Sequence, residues 1–158
     1  MNKAARQETY TEHDKKIAIQ KAIFDIMDGV TFAQILINRN VWEISGTDKS
    51  HDWRAYSIAA VISYSRPFKR SYGLPEISDF LTIDDDLHQK MIRRRDAIIA
   101  HGDVQYFSIH QHDPRSGLTL SSNLMYLSEK EASDLVRLGL SVVSILQNLL
   151  APSNDTAE

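Results

Sequence analysis

The chain has 158 residues, enough for one domain with a sizeable core, and its 42% hydrophobic and 25% charged residues exclude a wholly disordered protein. It has no cysteine, which excludes a disulfide scaffold, a thiolate zinc site and a cysteine nucleophile. Eighteen Lys and Arg against 21 Asp and Glu give a net charge of −3, which excludes a uniformly basic nucleic-acid coat but allows a local basic patch.

The composition of the first and last segments of the sequence bears on where in the cell the protein is expected. Residues 1–14 are polar and lack the apolar core of a signal peptide. The uncharged run 138–154 contains Ser, Gln, Asn and Pro, and a membrane span needs about 20 predominantly apolar residues. We therefore expect a cytoplasmic protein with no membrane partner, folded as one domain over residues 1–158. Residues 1–11 and 153–158 are expected to be flexible.

The first predicted element is a long helix over residues 14–38. Its apolar residues recur every three or four positions, which is typical of one helix face. Lys21, Asp25 and Asp28 are predicted to lie on other faces. The apolar stripe comprises Ile19, Ile23, Ile26, Val30, Ala33 and Ile37.

A loop over 40–50 and a second helix over 51–65 follow, and the helix ends where Pro67 disfavours helical geometry in the preceding residue. The next segment, 66–78, is a basic loop that carries Arg66, Lys69 and Arg70 between aromatic residues. These three cations are candidate RNA-binding residues, because their side chains could contact the phosphates along a nucleic-acid backbone. The alternative is a solvated loop whose aromatic side chains pack inward.

The third predicted helix covers 83–101. Acidic residues 84–86 begin it and basic residues come later, as the helix dipole favours, and Gly102 is a natural stop. Next, alternating apolar and polar residues on both sides of a turn-rich segment predict a β-hairpin over 103–126. The last helix starts at a capping box, Ser128 to Glu131. Its apolar residues form two stripes, which favours a homodimer in which a second subunit covers one of them. The first stripe comprises Leu135, Leu138, Val142, Ile145 and Leu149, and the second comprises Val136, Leu140, Val143 and Leu150.

The arginine cluster of the third helix suggests phosphate chemistry. An arginine binds phosphate oxygens through paired N–H groups, and a histidine exchanges protons near neutral pH. On an unbroken helix, Arg94 shares a face with His101, and Arg95 lies roughly 120° away. If the helix ends earlier, His101 can turn toward Arg95 instead. The alternative is a dipole-matched helix end capped by His101.

The segment Arg95-Asp96, four further residues and His101 resembles the RX4–6H motif of the HEPN superfamily (higher eukaryotes and prokaryotes nucleotide-binding). His88 and residues 64–68 are also similar to sequences in HEPN-like proteins. The resemblance implies a mainly α fold, a four- to five-helix bundle that dimerises through paired motifs, here with a β-hairpin inserted before the C-terminal helix.

The same resemblance implies a metal-independent endoribonuclease, without cofactor or metal, in which the 2′-hydroxyl of RNA attacks the adjacent phosphate. Arg95 would hold the scissile phosphate, His101 would be the general acid or base, and Asp96 would orient either of them. Arg94 would contact RNA as the substitute arginine. The leading hypothesis is thus a toxin- or defence-type ribonuclease, a homodimer acting on single-stranded RNA, with an antitoxin or other protein as partner.

The rival hypothesis is a non-catalytic helical module that binds a partner protein or a nucleotide. Two weaker patterns point to metals. His110 and His112 share a strand face but lack a third ligand, and residues 84–86 are explained better as acids at a helix start. We assign no metal site to the chain.

Overall fold

The computed structural model describes residues 10–43, 47–69, 73–100, 108–110, 119–121 and 126–151. Within these ranges the protein is a mainly α-helical bundle. Four helices form it: α1 (Glu12–Asn38), α2 (Thr47–Ser65), α3 (Asp86–Ala100) and α4 (Glu129–Leu150). Two short 3₁₀ helices, Arg66–Phe68 and Ile77–Asp79, lie between α2 and α3.

Helix α1 begins two residues earlier than predicted, because Thr11 caps it. The Thr11 hydroxyl accepts a hydrogen bond from the backbone N–H of Asp14, and the Asp14 carboxylate accepts one from the backbone of Thr11. This reciprocal pair satisfies amide groups that the helix leaves unpaired at its first turn. A predicted starting residue, Asp14, is therefore part of the cap.

Helix α1 lies at the centre of the bundle and packs along both α2 and α4. Two glycines allow the close approach. A Cβ at Gly29 would lie 2.8 Å from the backbone nitrogen of Tyr64 in α2, and one at Gly139 of α4 would lie 2.4 Å from Cγ2 of Val30. The predicted α1 stripe does face this core, since Ile19, Ile26, Val30 and Ala33 are buried.

Helix α2 starts at Thr47, one turn before the predicted residue 51, so the predicted loop over 40–50 is wrong at its end. Tyr64, near the end of α2, is fully buried. Two indole N–H groups, from Trp42 and Trp53, donate to the carbonyl of Leu127 at 3.0 and 2.8 Å. The Leu127 N–H donates to the Ser57 hydroxyl, so the chain that enters α4 is fixed against α2.

Helix α3 begins at Asp86, three residues later than predicted. The Asp85 carboxylate accepts a hydrogen bond from the backbone N–H of His88 at 2.9 Å, which is the contact that an N-cap residue makes. Asp84 and Asp85 therefore precede the helix, and only Asp86 belongs to its first turn. Helix α3 packs mainly on α2 and touches α4 less.

The predicted hairpin region 103–126 lies mostly outside the described residues. Two three-residue strands are described there, β1 (Ser108–His110) and β2 (Thr119–Ser121), paired antiparallel with residue 109 opposite residue 120. The hairpin as an insertion before the last helix stays a prediction.

Helix α4 starts with the predicted capping box, in which the Ser128 hydroxyl accepts from the Glu131 backbone N–H. Its buried face lies between the two apolar stripes, and Leu140, Ile145 and Leu149 stay exposed. Among the described residues, α4 is the one helix long and apolar enough to cross a membrane, by length and composition only. The core helix of a globular protein can pass the same test.

Candidate anion-binding cleft

A small cleft lies where α1, the chain after α2 and helix α3 meet. Its volume is about 100 Å³. The floor is apolar or neutral, and four of the lining side chains carry a positive charge. We call this site the cationic cleft, and its charged lining residues are Lys21, Asp25, Arg66, Lys69 and Arg95.

One wall of the cleft is built on Asp25 of α1. The Asp25 side chain is only 9% exposed, and its two oxygens accept from different cations. Lys21 Nζ lies 2.7 Å from Oδ2, and Arg66 Nη1 lies 2.7 Å from Oδ1. Because Asp25 is nearly immobile inside the protein, it fixes the positions of two cations whose other donors stay exposed to water.

A second carboxylate, Asp96 of α3, pairs with the other two cations of the cleft, but here the acid is the more exposed partner, at 48% against 31% for Lys69 and 24% for Arg95. Its Oδ2 accepts from Lys69 Nζ at 2.7 Å, and its Oδ1 accepts from Arg95 Nη1 at 3.0 Å. Burial tends to raise the pKa of Asp96, but the hydrogen bonds from Lys69 and Arg95 outweigh it and hold that pKa below its usual range. Asp96 is therefore ionised at neutral pH.

The charges of the cleft do not balance. Each carboxylate serves two cations, so each wall carries one net positive charge. An arginine has five N–H donors and a lysine has three, and the ion pairs use only part of them. Although the whole chain is acidic at −3, these described residues form a local positive site with spare donors.

The Arg66–Phe68 segment is held in place by aromatic packing below the cleft. The Phe68 ring meets the His88 ring edge-on with centroids 4.6 Å apart, and the Tyr64 hydroxyl lies 2.9 Å from Nδ1 of His88. Burial lowers the pKa of His88, against the opposing charge of Asp85. Burial, with the Asp85 charge adding to it, raises the pKa of Tyr64. Both groups are therefore neutral and act as packed side chains.

Arg94 points to the other side of α3, away from the cleft. It is 8% exposed and binds Glu131 of α4 through two N–H groups, at 3.2 and 2.9 Å. Lys90 Nζ contacts the same carboxylate at 2.6 Å. We call Lys90, Arg94 and Glu131 the α3–α4 ion cluster. Of the two adjacent arginines, the structure thus brings Arg95 to the cleft and Arg94 to a helix–helix contact.

The structure brings several predicted residues together. Arg95 lies beside Asp96, and Arg66 and Lys69, from the predicted basic loop, line the same cleft. The loop prediction is wrong at its first residues, which form a 3₁₀ helix, whereas the burial of Phe68 agrees with the alternative in which its aromatic side chains pack inward. Arg70 and His101 lie outside the described residues, so their position relative to the cleft stays a prediction.

Sequence reasoning missed Lys21 and Asp25. Asp25 was expected on a polar face of α1 but is 7% exposed. The signal was present in the spacing, because Ala18, Ala22 and Gly29 lie seven, three and four positions from Asp25, on the same face of the helix. Small residues let a neighbouring segment pack closely, so a carboxylate on the same face becomes buried against that segment. Lys21 lies one helical turn before Asp25.

Within the described ranges, no cluster of three or more His, Asp or Glu side chains could hold a metal ion. The side chain of His110 and all of His112 lie outside the description. A metal-free site stays a prediction. The chemistry of the cleft is that of nitrogen donors around an oxyanion.

No comparison with known proteins adds to this geometry. The chain matches no family model, no curated protein and no solved structure. The HEPN resemblance therefore depends on the residues of the motif themselves.

Proposed function

We propose that the protein is a metal-independent endoribonuclease of the HEPN type that cleaves single-stranded RNA as a homodimer. The observation that supports this is the cationic cleft. Arg66 and Lys69 follow α2, Arg95 belongs to α3, and the three line one cavity. Positively charged donors held in place before the substrate arrives are what a phosphoryl transition state needs.

The reaction needs residues that stabilise the phosphate charge and residues that transfer protons. The 2′-hydroxyl loses its proton to a base and its oxygen bonds to phosphorus, while the bond to the 5′-oxygen breaks and an acid protonates that oxygen. The products are a 2′,3′-cyclic phosphate and a free 5′-hydroxyl. Arg95 stabilises the phosphorane charge, and Asp96 positions Arg95 through the 3.0 Å contact. His101 supplies the proton transfer.

The proposal requires two chains, because a single His101 cannot act as base and acid in one step. Exposed apolar side chains support a dimer. Ile145 and Leu149 are 41% and 49% exposed on one flank of α4, and Phe24 of α1 is 74% exposed. Large apolar side chains in such positions are typical of surfaces that associate.

The test is cleavage of end-labelled single-stranded RNA in EDTA. We expect the wild type to leave cyclic-phosphate ends, and Arg95→Ala and His101→Ala each to lower the rate by about a hundredfold or more. Arg137→Ala is the matched control, since Arg137 is 81% exposed and lies outside the cleft. A His101→Ala variant as active as the wild type would contradict the mechanism.

One observation favours a second candidate, a non-catalytic module that binds a protein or nucleotide. Arg95 is already paired with Asp96, and its side chain is 24% exposed. An arginine committed to a neighbouring carboxylate is a common structural feature. The same cleavage experiment separates the two functions, because the module would leave RNA intact in a folded, dimeric wild type.

A further inference from the structure

We propose that the cationic cleft binds one phosphate group, and that Lys21, together with Arg66, is one of the residues that bind it. This inference does not depend on RNA cleavage. It assigns a ligand to a wall of the cleft that the HEPN-like motif does not contain, since Lys21 and Asp25 belong to α1.

The size of the cleft limits the ligand. At about 100 Å³ it is well below the ~300 Å³ at which pockets begin to enclose drug-sized molecules. A whole nucleotide therefore has no room inside. A single phosphate group can enter while the rest of its molecule stays outside, toward solvent.

The charges select the same ligand. The described residues place four cations on the two walls, against the carboxylates of Asp25 and Asp96, which leaves two positive charges. A phosphate monoester carries about −1.5 to −2 at pH 7, whereas an internal phosphodiester carries one negative charge. Charge complementarity therefore predicts that a terminal or free phosphate binds more tightly than an internal one.

The geometry of the walls supports oxyanion binding. Asp25 is nearly buried and pairs with both Lys21 and Arg66, so less side-chain entropy remains to be lost by these two cations when a ligand arrives. Lys21 and Arg66 are 47% and 50% exposed, which leaves their remaining donors accessible. Arginine adds paired N–H groups that match phosphate oxygens, and lysine adds a mobile point charge.

The experiment is calorimetric titration at low salt with three probes: inorganic phosphate, and a short single-stranded deoxyoligonucleotide with and without a 5′-phosphate. A deoxyoligonucleotide has no 2′-hydroxyl and cannot be cut by the proposed reaction. Its binding therefore reports on the cleft alone, whether or not the protein cleaves RNA.

We expect Lys21→Ala and Arg66→Ala each to weaken phosphate binding by about tenfold. Lys130→Ala and Arg137→Ala, which remove exposed cations outside the cleft, should bind like the wild type. Because the Lys21 ammonium is half exposed, its removal leaves the bundle folded, as a urea titration of the same variant would check.

The three probes distinguish the source of the phosphate. Tighter binding of the 5′-phosphorylated oligonucleotide, lost in Lys21→Ala, supports a terminal phosphate ligand. Equal binding of both oligonucleotides, weakened by the same substitution, supports the cleft as a site for an internal phosphate. No binding of any probe, or binding that neither variant weakens, would overturn the proposal.

Discussion

Two charged regions on opposite sides of α3 use the same residue types for different purposes. The α3–α4 ion cluster places one carboxylate, Glu131, against Arg94 and Lys90 between two helices, with Arg94 only 8% exposed. In the cationic cleft, Asp25 and Asp96 each pair with two of the four cations that line an open cavity. Adjacent residues of the sequence, Arg94 and Arg95, contribute one arginine to each region.

The difference between them is which partner is buried. In the ion cluster the arginine lies inside the protein and holds two helices together, so its charge contributes to the fold. At the α1 side of the cleft the carboxylate Asp25 is the buried partner, and Lys21 and Arg66 are about half exposed. An ion pair with a buried acid and exposed bases is suited to binding an anion.

The largest expected effect is a difference in stability between alanine variants of the two arginines. Arg94→Ala should lower the free energy of unfolding by about 2 to 3 kcal/mol, because it removes a bidentate partner from the partly buried Glu131 and leaves it with Lys90 and the Ser128 backbone N–H. Arg95→Ala should lower it by less than about 1 kcal/mol, since its pair with Asp96 is half exposed. Urea denaturation of both variants measures this, and equal losses would contradict the distinction.

The second prediction concerns acid stability. Burial tends to raise the pKa of Glu131, but the hydrogen bonds from Lys90 and the Ser128 backbone, with the charge of Arg94, lower it to about 2 from its usual 4.5. A lowered folded-state pKa stabilises the protein above pH 4.5, and that contribution is lost as the pH falls from 4.5 toward 2.

The substitution Glu131→Gln should therefore reduce stability at neutral pH and flatten its decline between pH 4.5 and 2. Thermal melts across this range provide the measurement, with Glu129→Gln as the control on the same helix. A decline as steep as in the wild type would show that Glu131 does not carry the acid sensitivity.

The smallest expected effect lies in the cleft itself. Asp96→Asn removes one of the two carboxylates, which leaves three net positive charges around the cavity. We expect inorganic phosphate to bind about threefold more tightly, an effect of less than ~1 kcal/mol because the site is open to water. Calorimetric titration measures it, and weaker binding would mean that Asp96 acts mainly by positioning Arg95 and Lys69.

Local patterns in the sequence predicted the helical elements and some of their ends. The spacing of Ile19, Ile26 and Val30 located the buried face of α1, and the Ser128 capping box located the start of α4. Two helix starts were wrong for a local reason. Thr11 and Asp85 form caps three and two residues away from the expected boundaries, and cap geometry decides where a helix begins.

The candidate site was predicted only in part. The sequence indicated Arg66, Lys69, Arg95 and Asp96 as separate groups, because residue type alone marks cations suited to phosphate. It did not indicate that Lys21 and Asp25 join them, since these residues lie more than 40 positions from Lys69 and meet it only through helix packing.

The sequence by itself determined a mainly helical protein with a basic third helix and no cysteine chemistry, because periodicity and composition are local properties. The sequence left open whether Arg94 or Arg95 faces the cationic cleft. Only the tertiary structure decided that, by packing α4 against α3 so that Glu131 binds Arg94 and Arg95 is left toward the cleft. The physical reason is that a side chain's role depends on the charges that other helices bring to it, and no pattern within one helix contains that information.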